Sequence, residues 1–129
     1  MAAGSTNYFQ QILSGMPGFS AMTVYKGADD AVALQVQADP TLSPEITRVA
    51  NHSFESMHRF VDKAVPGEAL EELFWADEGR YYIFSRLLED AYHVLFIFRK
   101  GGNDLATIRM LIRHFLPTLE SHLQPAGRM

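Results

Sequence analysis

Histidines and adjacent carboxylates are the residues of this sequence with the chemistry for metal binding or proton transfer. On a helix, His52 with Glu55 and His58 with Asp62 fall at i,i+3 and i,i+4, a spacing at which two side chains can share an ion. The same spacing also gives ordinary surface contacts, each contributing roughly 0.2–0.5 kcal/mol. His52 and His58 are six apart and lie on different helix faces, so they cannot chelate together. His114 and His122 are eight apart with no third ligand nearby, and His93 sits in an apolar run, as a hydrogen-bonded interior histidine would. No metal is expected. The carboxylate pairs Asp29-Asp30, Glu71-Glu72, Asp77-Glu78 and Glu89-Asp90 all lie in or beside turn-like or half-exposed stretches. General acid–base work needs burial or a close like charge to move a pKa, and solvated turns supply neither. The chain has no cysteine, so it offers no thiol nucleophile, thiolate site or disulfide. No serine stands in a G-x-S-x-G elbow, and Gly101-Gly102 alone is a loop, not a phosphate cradle. No catalytic residue and no cofactor are expected.

Two other groups of residues point to recognition. Trp75, the single tryptophan, falls at the end of an expected strand. It reads either as buried bulk or as an interface anchor, because an edge strand must be covered, paired or charged and tryptophan is enriched at hot spots. On the second reading Leu73, Phe74 and Trp75 meet a subunit boundary together with Phe54 and His58. Arg109, Arg113 and His114 form a basic patch on the outer face of the last helix, with Arg86 and Arg99 on nearby strands. Such a face is either merely solvated or a contact for an acidic partner, where charge sets on-rate and selectivity.

The elements that position these residues are organised around Arg80 to Leu88 and Tyr92 to Arg99, two strands joined by Glu89-Asp90-Ala91. Tyr81, Ile83 and Leu87 point to one side, and Tyr82, Phe84 and Leu88 to the other. Leu95 and Ile97 oppose Tyr92, Val94, Phe96 and Phe98 in the same way. A half-solvated strand would alternate apolar with polar residues; these do not, so both faces of the pair must be covered. The short joining segment makes the pair antiparallel.

Upstream, Ser5 or Thr6 caps a helix carrying Tyr8, Phe9, Ile12, Leu13 and Met16, which Gly15 and Met16-Pro17-Gly18 end. Phe19 to Tyr25 and Val32 to Gln37 form a hairpin across Lys26 to Asp30, with the second strand half-exposed at or near an edge. Ser43 as N-cap and Pro44 at the first position open a long helix to about Lys63. Its stripe holds Ile46, Val49, Ala50, Ser53, Met57, Phe60, Val61 and Ala64, with Phe54 beside it. Ala69 to Trp75 is a third strand, turning at Ala76 to Gly79. Asn103 or Asp104 caps a last helix whose stripe runs from Leu105 to Leu123, and Pro117 should kink it near Arg113. The order is α-β-β-α-β-β-β-α, an α/β (α+β) fold with a five-stranded antiparallel sheet in a three-layer α/β/α sandwich.

The length of 129 residues suits one domain over 1–129, with residues 1–6 expected to be flexible. A net charge of −4 without a basic run argues against nucleic acid. MAAGSTN lacks the basic and apolar regions of a signal peptide, and no apolar run approaches the ~20 residues of a membrane span. The expectation is a cytoplasmic chain without membrane insertion.

This order is similar to that of the Roadblock / dynein light chain family, over roughly Asn7 to Leu123. The resemblance rests on three pieces: Gly15 to Tyr25 with its following turn and strand; Glu71 to Leu73, then Gly79-Arg80-Tyr81-Tyr82; and Asn103-Asp104-Leu105-Ala106-Thr107-Ile108-Arg109-Met110-Leu111-Ile112-Arg113. Lys26 to Asp30 departs from the family's more compact Asp-x-Asp-Gly-like turn. The resemblance implies a non-enzymatic module that pairs with itself or a related Roadblock-like subunit through the third strand and central helix. It further implies a platform for a small Ras-like GTPase or for a larger motor or signalling assembly. The competing expectation is a small-molecule-sensing domain on a longin- or profilin-like fold, with an apolar cavity near Met57, Phe60 and Tyr82.

Overall fold

Side chains of the two aromatic strands enter separate cores above and below one sheet. The computed structural model describes residues 2–26, 31–43, 45–89 and 91–124, and only the backbone of residues 2–6. Its elements are α1 (Ala2–Ser14), β1 (Phe19–Lys26), β2 (Val32–Gln37), α2 (Ile46–Ala64), β3 (Glu72–Ala76), β4 (Arg80–Leu87), β5 (Tyr92–Arg99) and α3 (Leu105–Leu123). All five strands pair antiparallel in the order β2-β1-β5-β4-β3, leaving β2 and β3 at the edges.

The alternation assigns the layers. Ile83 and Leu87 of β4 join Val94, Phe96 and Phe98 of β5 in a core closed by Phe9 and Leu13 of α1 and by Ile108, Ile112, Phe115 and Leu119 of α3. Tyr82, Phe84, Leu95 and Ile97 face the other way, beneath Ala50 and Phe54 of α2. β2 is buried only at Leu34 and Val36, as a half-exposed edge strand should be. In β1 a bulge between Phe19 and Ala21 puts Phe19 and Met22 on the same side.

Several boundaries differ from the sequence reading. α1 starts at Ala2, ahead of the Ser5/Thr6 cap. α2 starts at Ile46 with Glu45 at its N-cap; the Ser43 hydroxyl accepts the Glu45 N–H at 3.2 Å, closing the turn before the helix. β3 begins three residues later than Ala69, because Leu70 is occupied by α2: its N–H donates to His58 Nδ1 at 3.4 Å. Asp104 rather than Asn103 caps α3, accepting the Thr107 N–H at 2.8 Å, and the α-helix continues through Pro117. Residues 27–30, Pro44 and Asp90, which carry the expected hairpin turn, helix opening and part of the β4–β5 turn, lie outside the described residues.

Two contacts, one between backbones and one between side chains, tie loops to the sheet. Gly18 (φ 84°) and Gly102 touch backbone to backbone where the loops before β1 and after β5 meet. The Arg99 N–H donates to Gly18 O there at 2.7 Å. The second contact is a side-chain network. The Arg80 guanidinium donates to Asp39 Oδ2 at 2.9 Å and Thr41 Oγ1 at 3.3 Å, tying the loop before α2 to β4. Asp77 accepts the N–H groups of Gly79 and Arg80 and, at 2.6 Å, the Tyr82 hydroxyl. The Thr41 hydroxyl and then Arg80 hold the Asp39 carboxyl down at about 2, while burial and then Asp77 push the Tyr82 phenol up to about 12.

This network sets an acid limit. A carboxyl whose folded pKa is depressed stabilises the fold fully above its ordinary value of 3.8, and that stabilisation drains away as pH falls from there towards 2. Acid unfolding followed by circular dichroism should therefore be steeper over this window in the native chain than in Asp39→Asn. Identical profiles would show that the ion pair contributes nothing.

Candidate interaction surface

The long helix α2 has more apolar surface than its own sheet can cover. At ~100° per residue, Phe54 and Phe60 stand about 120° apart around the axis, whereas Val49 and Phe60 nearly superpose three turns apart. Phe54 is buried, its ring 4.4 Å from His93 and 4.9 Å from Phe84. Phe60 is 62% exposed, Val49 54% and Met57 39%. Part of the expected stripe, Val49, Met57 and Phe60, therefore turns outward, whereas its Ala50 is buried together with Asn51 and Phe54, and its Ile46 packs beside them.

Hydrogen bonds select that face. The Tyr25 hydroxyl of β1 donates to the Thr47 carbonyl, and buried His93 of β5 pairs through Nε2 with Asn51 Oδ1. Leaving His93 unpaired in an apolar layer would cost more than exposing a valine or methionine. His93 thus has the interior role expected of it, stacked between Phe54 and Tyr25.

The other half of the surface is β3, an edge strand. Leu73 and Trp75 pack into the core under α2, with the indole 5.1 Å from Tyr82 and nearly parallel to it. Phe74 faces the opposite side, against Tyr81, and remains 37% exposed. Of the five residues expected at a boundary, Leu73, Phe74 and Trp75 lie on the free strand. Phe54 belongs to the core, and His58 is half-buried, stacked on Phe54 and accepting from Leu70. Val49, Met57 and Phe60 take Phe54's place at the surface. Met57 and Phe60 accordingly do not cover a cavity next to Tyr82.

Arg109, Arg113 and His114 do come together on α3. Arg109 is only partly free, since it donates to Glu72 Oε1 at 2.6 Å. Among the described residues no group of three or more His, Asp or Glu side chains is arranged to hold a metal. No helix there is long and apolar enough to cross a membrane.

No protein-family model matches the sequence, and no curated protein resembles it significantly. Three-dimensional likeness is clear. The gliding protein MglB from Thermus thermophilus superposes with a TM-score of 0.74 at 10% identity, over 92% of this chain and 87% of that one. An MglB with tetrameric arrangement gives 0.73 at 9% identity over the same shares. A Roadblock/LC7 domain from Streptomyces avermitilis gives 0.62 at 12% identity, over 84% of this chain and 92% of that one. The chain has the Roadblock/LC7 fold. In this Roadblock/LC7 fold Val49, Met57 and Phe60 are exposed on α2, β3 is a free edge of the sheet, and Phe74 on that edge turns to the face opposite Leu73 and Trp75.

Proposed function

We propose that this chain is a non-catalytic dimeric module. It pairs with a second copy or a related Roadblock-like subunit through α2 and β3, and the pair binds or modulates a small Ras-like GTPase or scaffolds a larger signalling or motor assembly. The observation carrying this reading is that α2 buries one face under its own sheet and still presents Val49, Met57 and Phe60 to solvent. A free strand edge and an uncovered apolar helix stripe are the two surfaces a twin would cover. The Roadblock/LC7 fold and a relative described in a tetrameric arrangement support assembly. The GTPase role rests on the family resemblance, and the absence of a catalytic constellation in the sequence fits a regulator better than an enzyme.

Light scattering at tens of micromolar should give twice the chain mass for the native protein. Phe60→Glu, which places a charge in the stripe without touching the core, should give the single-chain mass with unchanged circular dichroism. A native chain that stays single, or a Phe60→Glu variant that still pairs, removes the main support for this function.

A further inference from the structure

Away from α2, where α3 crosses β3 and β4, the surface contains a cleft of about 250 Å³. Its floor is apolar, formed by Ile112 and Leu116 of α3, and its rim is mixed, with Arg86, Arg109 and Arg113 beside Glu71 and Glu72. Glu72 binds Arg109 at 2.6 Å, and Glu71 lies 3.9 Å from Arg86. Arg113 has no acidic partner within salt-bridge distance among the described residues, and it is exposed. On its far side, Arg113 and Arg109 also border a second, shallower groove with exposed Met110 and His114. The two arginines are thus a ridge shared by two concavities, on a protein whose net charge is −4.

We propose that these joined grooves dock an acidic, apolar-anchored peptide segment of a partner protein. A large apolar side chain enters the cleft over Ile112 and Leu116, and neighbouring carboxylates meet Arg113 and His114. The charge distribution selects this occupant. Glu71 and Glu72 keep one rim negative, which opposes a compact polyanion such as a phosphate or a nucleic-acid backbone. A peptide can satisfy both rims, because its backbone N–H groups donate to carboxylates while its own carboxylates accept from the arginines. The cleft is too small for a folded surface to enter and has room for one large side chain, the anchor arrangement found at binding hot spots. The inference concerns the α3 side of the sheet and goes beyond the pairing proposed for α2 and β3.

The test is fluorescence anisotropy with a fluorescein-labelled synthetic peptide alternating glutamate and leucine. Glutamate–serine and lysine–leucine peptides of the same length serve as comparisons. The native chain should bind the glutamate–leucine peptide best, with affinity falling as salt rises. Arg113→Glu should weaken that binding about tenfold or more, since like charges are then juxtaposed. Light scattering should give Arg113→Glu the same mass as the native chain, so that loss of peptide binding is separated from loss of pairing. Undiminished binding by Arg113→Glu, equal binding of the lysine–leucine peptide, or no binding by the native chain would overturn the proposal.

Discussion

Phe54→Ala should lower the free energy of unfolding by about 3–4 kcal/mol, whereas Phe60→Ala, six residues along the same helix, should change it by no more than about 0.5 kcal/mol in the separated chain. The two rings differ in what they touch. Phe54 contacts Phe84, His93 and His58 beneath α2, and truncation there leaves a cavity that the rigid sheet cannot close. It also exposes one side of the buried His93–Asn51 pair. Phe60 is mostly in water, so removing it deletes little burial within one chain. Urea unfolding at a concentration low enough to separate any dimer measures both variants. Equal losses, or a larger loss for Phe60→Ala, would mean that α2 packs through the other stripe and would undo the interaction surface built on it.

The second large effect belongs to backbone where the loops before β1 and after β5 cross. A methyl group on Gly18 would lie 2.8 Å from the Arg99 carbonyl oxygen, and one on Gly102 would lie 2.8–2.9 Å from Gly18 and Pro17 backbone atoms. No flexible side chain can yield at either position. Gly18→Ala adds the left-handed penalty at φ 84°, about 1–2 kcal/mol, to overpacking of about 1–3 kcal/mol. A total loss of about 3 kcal/mol is expected. Gly67 is the internal comparison, because its φ is +92° but nothing lies within 4 Å of an added Cβ. Gly67→Ala should therefore cost only about 1–2 kcal/mol. If thermal or urea unfolding finds the two alanine variants equally stable, the close crossing is not tight in solution.

Much of the fold was legible because the signal was two-sided. Tyr82, Phe84, Leu95 and Ile97 against Ile83, Leu87, Val94, Phe96 and Phe98 is an alternation with no polar face, and only a covered sheet accommodates it. The β2 edge was equally readable, since Ala33, Gln35 and Gln37 break the burial of Leu34 and Val36. The orientation of α2 was not. Its apolar residues span more of the circumference than one interface needs, so periodicity put Val49, Met57 and Phe60 on one stripe with Ile46 and Ala50, although only the latter two pack toward the sheet. The deciding groups were polar: Asn51 and His58, with the backbone carbonyl of Thr47, sit on the buried side, where they partner His93, the Leu70 N–H and the Tyr25 hydroxyl. A histidine in the middle of an apolar strand was the available clue, since it demanded a polar residue from whichever helix covered it. Phe54, expected with Leu73 to Trp75 at a boundary, is buried within its own chain instead. The basic patch on α3 was visible in the helical spacing, but Glu72's hold on Arg109 and the apolar floor beside it depend on β3 lying next to α3, which no local pattern encodes.

The strand order has a further consequence for how the chain assembles. β3, β4 and β5 follow one another and pair as neighbours, so this meander needs only tight hairpin turns. β1 instead joins β5, with Tyr25 opposite His93, and that contact closes a loop containing α2 and three strands. Closing so long a stretch carries an entropic toll that local hairpins escape, which places the docking of the N-terminal hairpin late on the folding route. Without that hairpin the β5 margin has no strand beside it, so a ribbon of β3, β4 and β5 alone would have open borders at both ends.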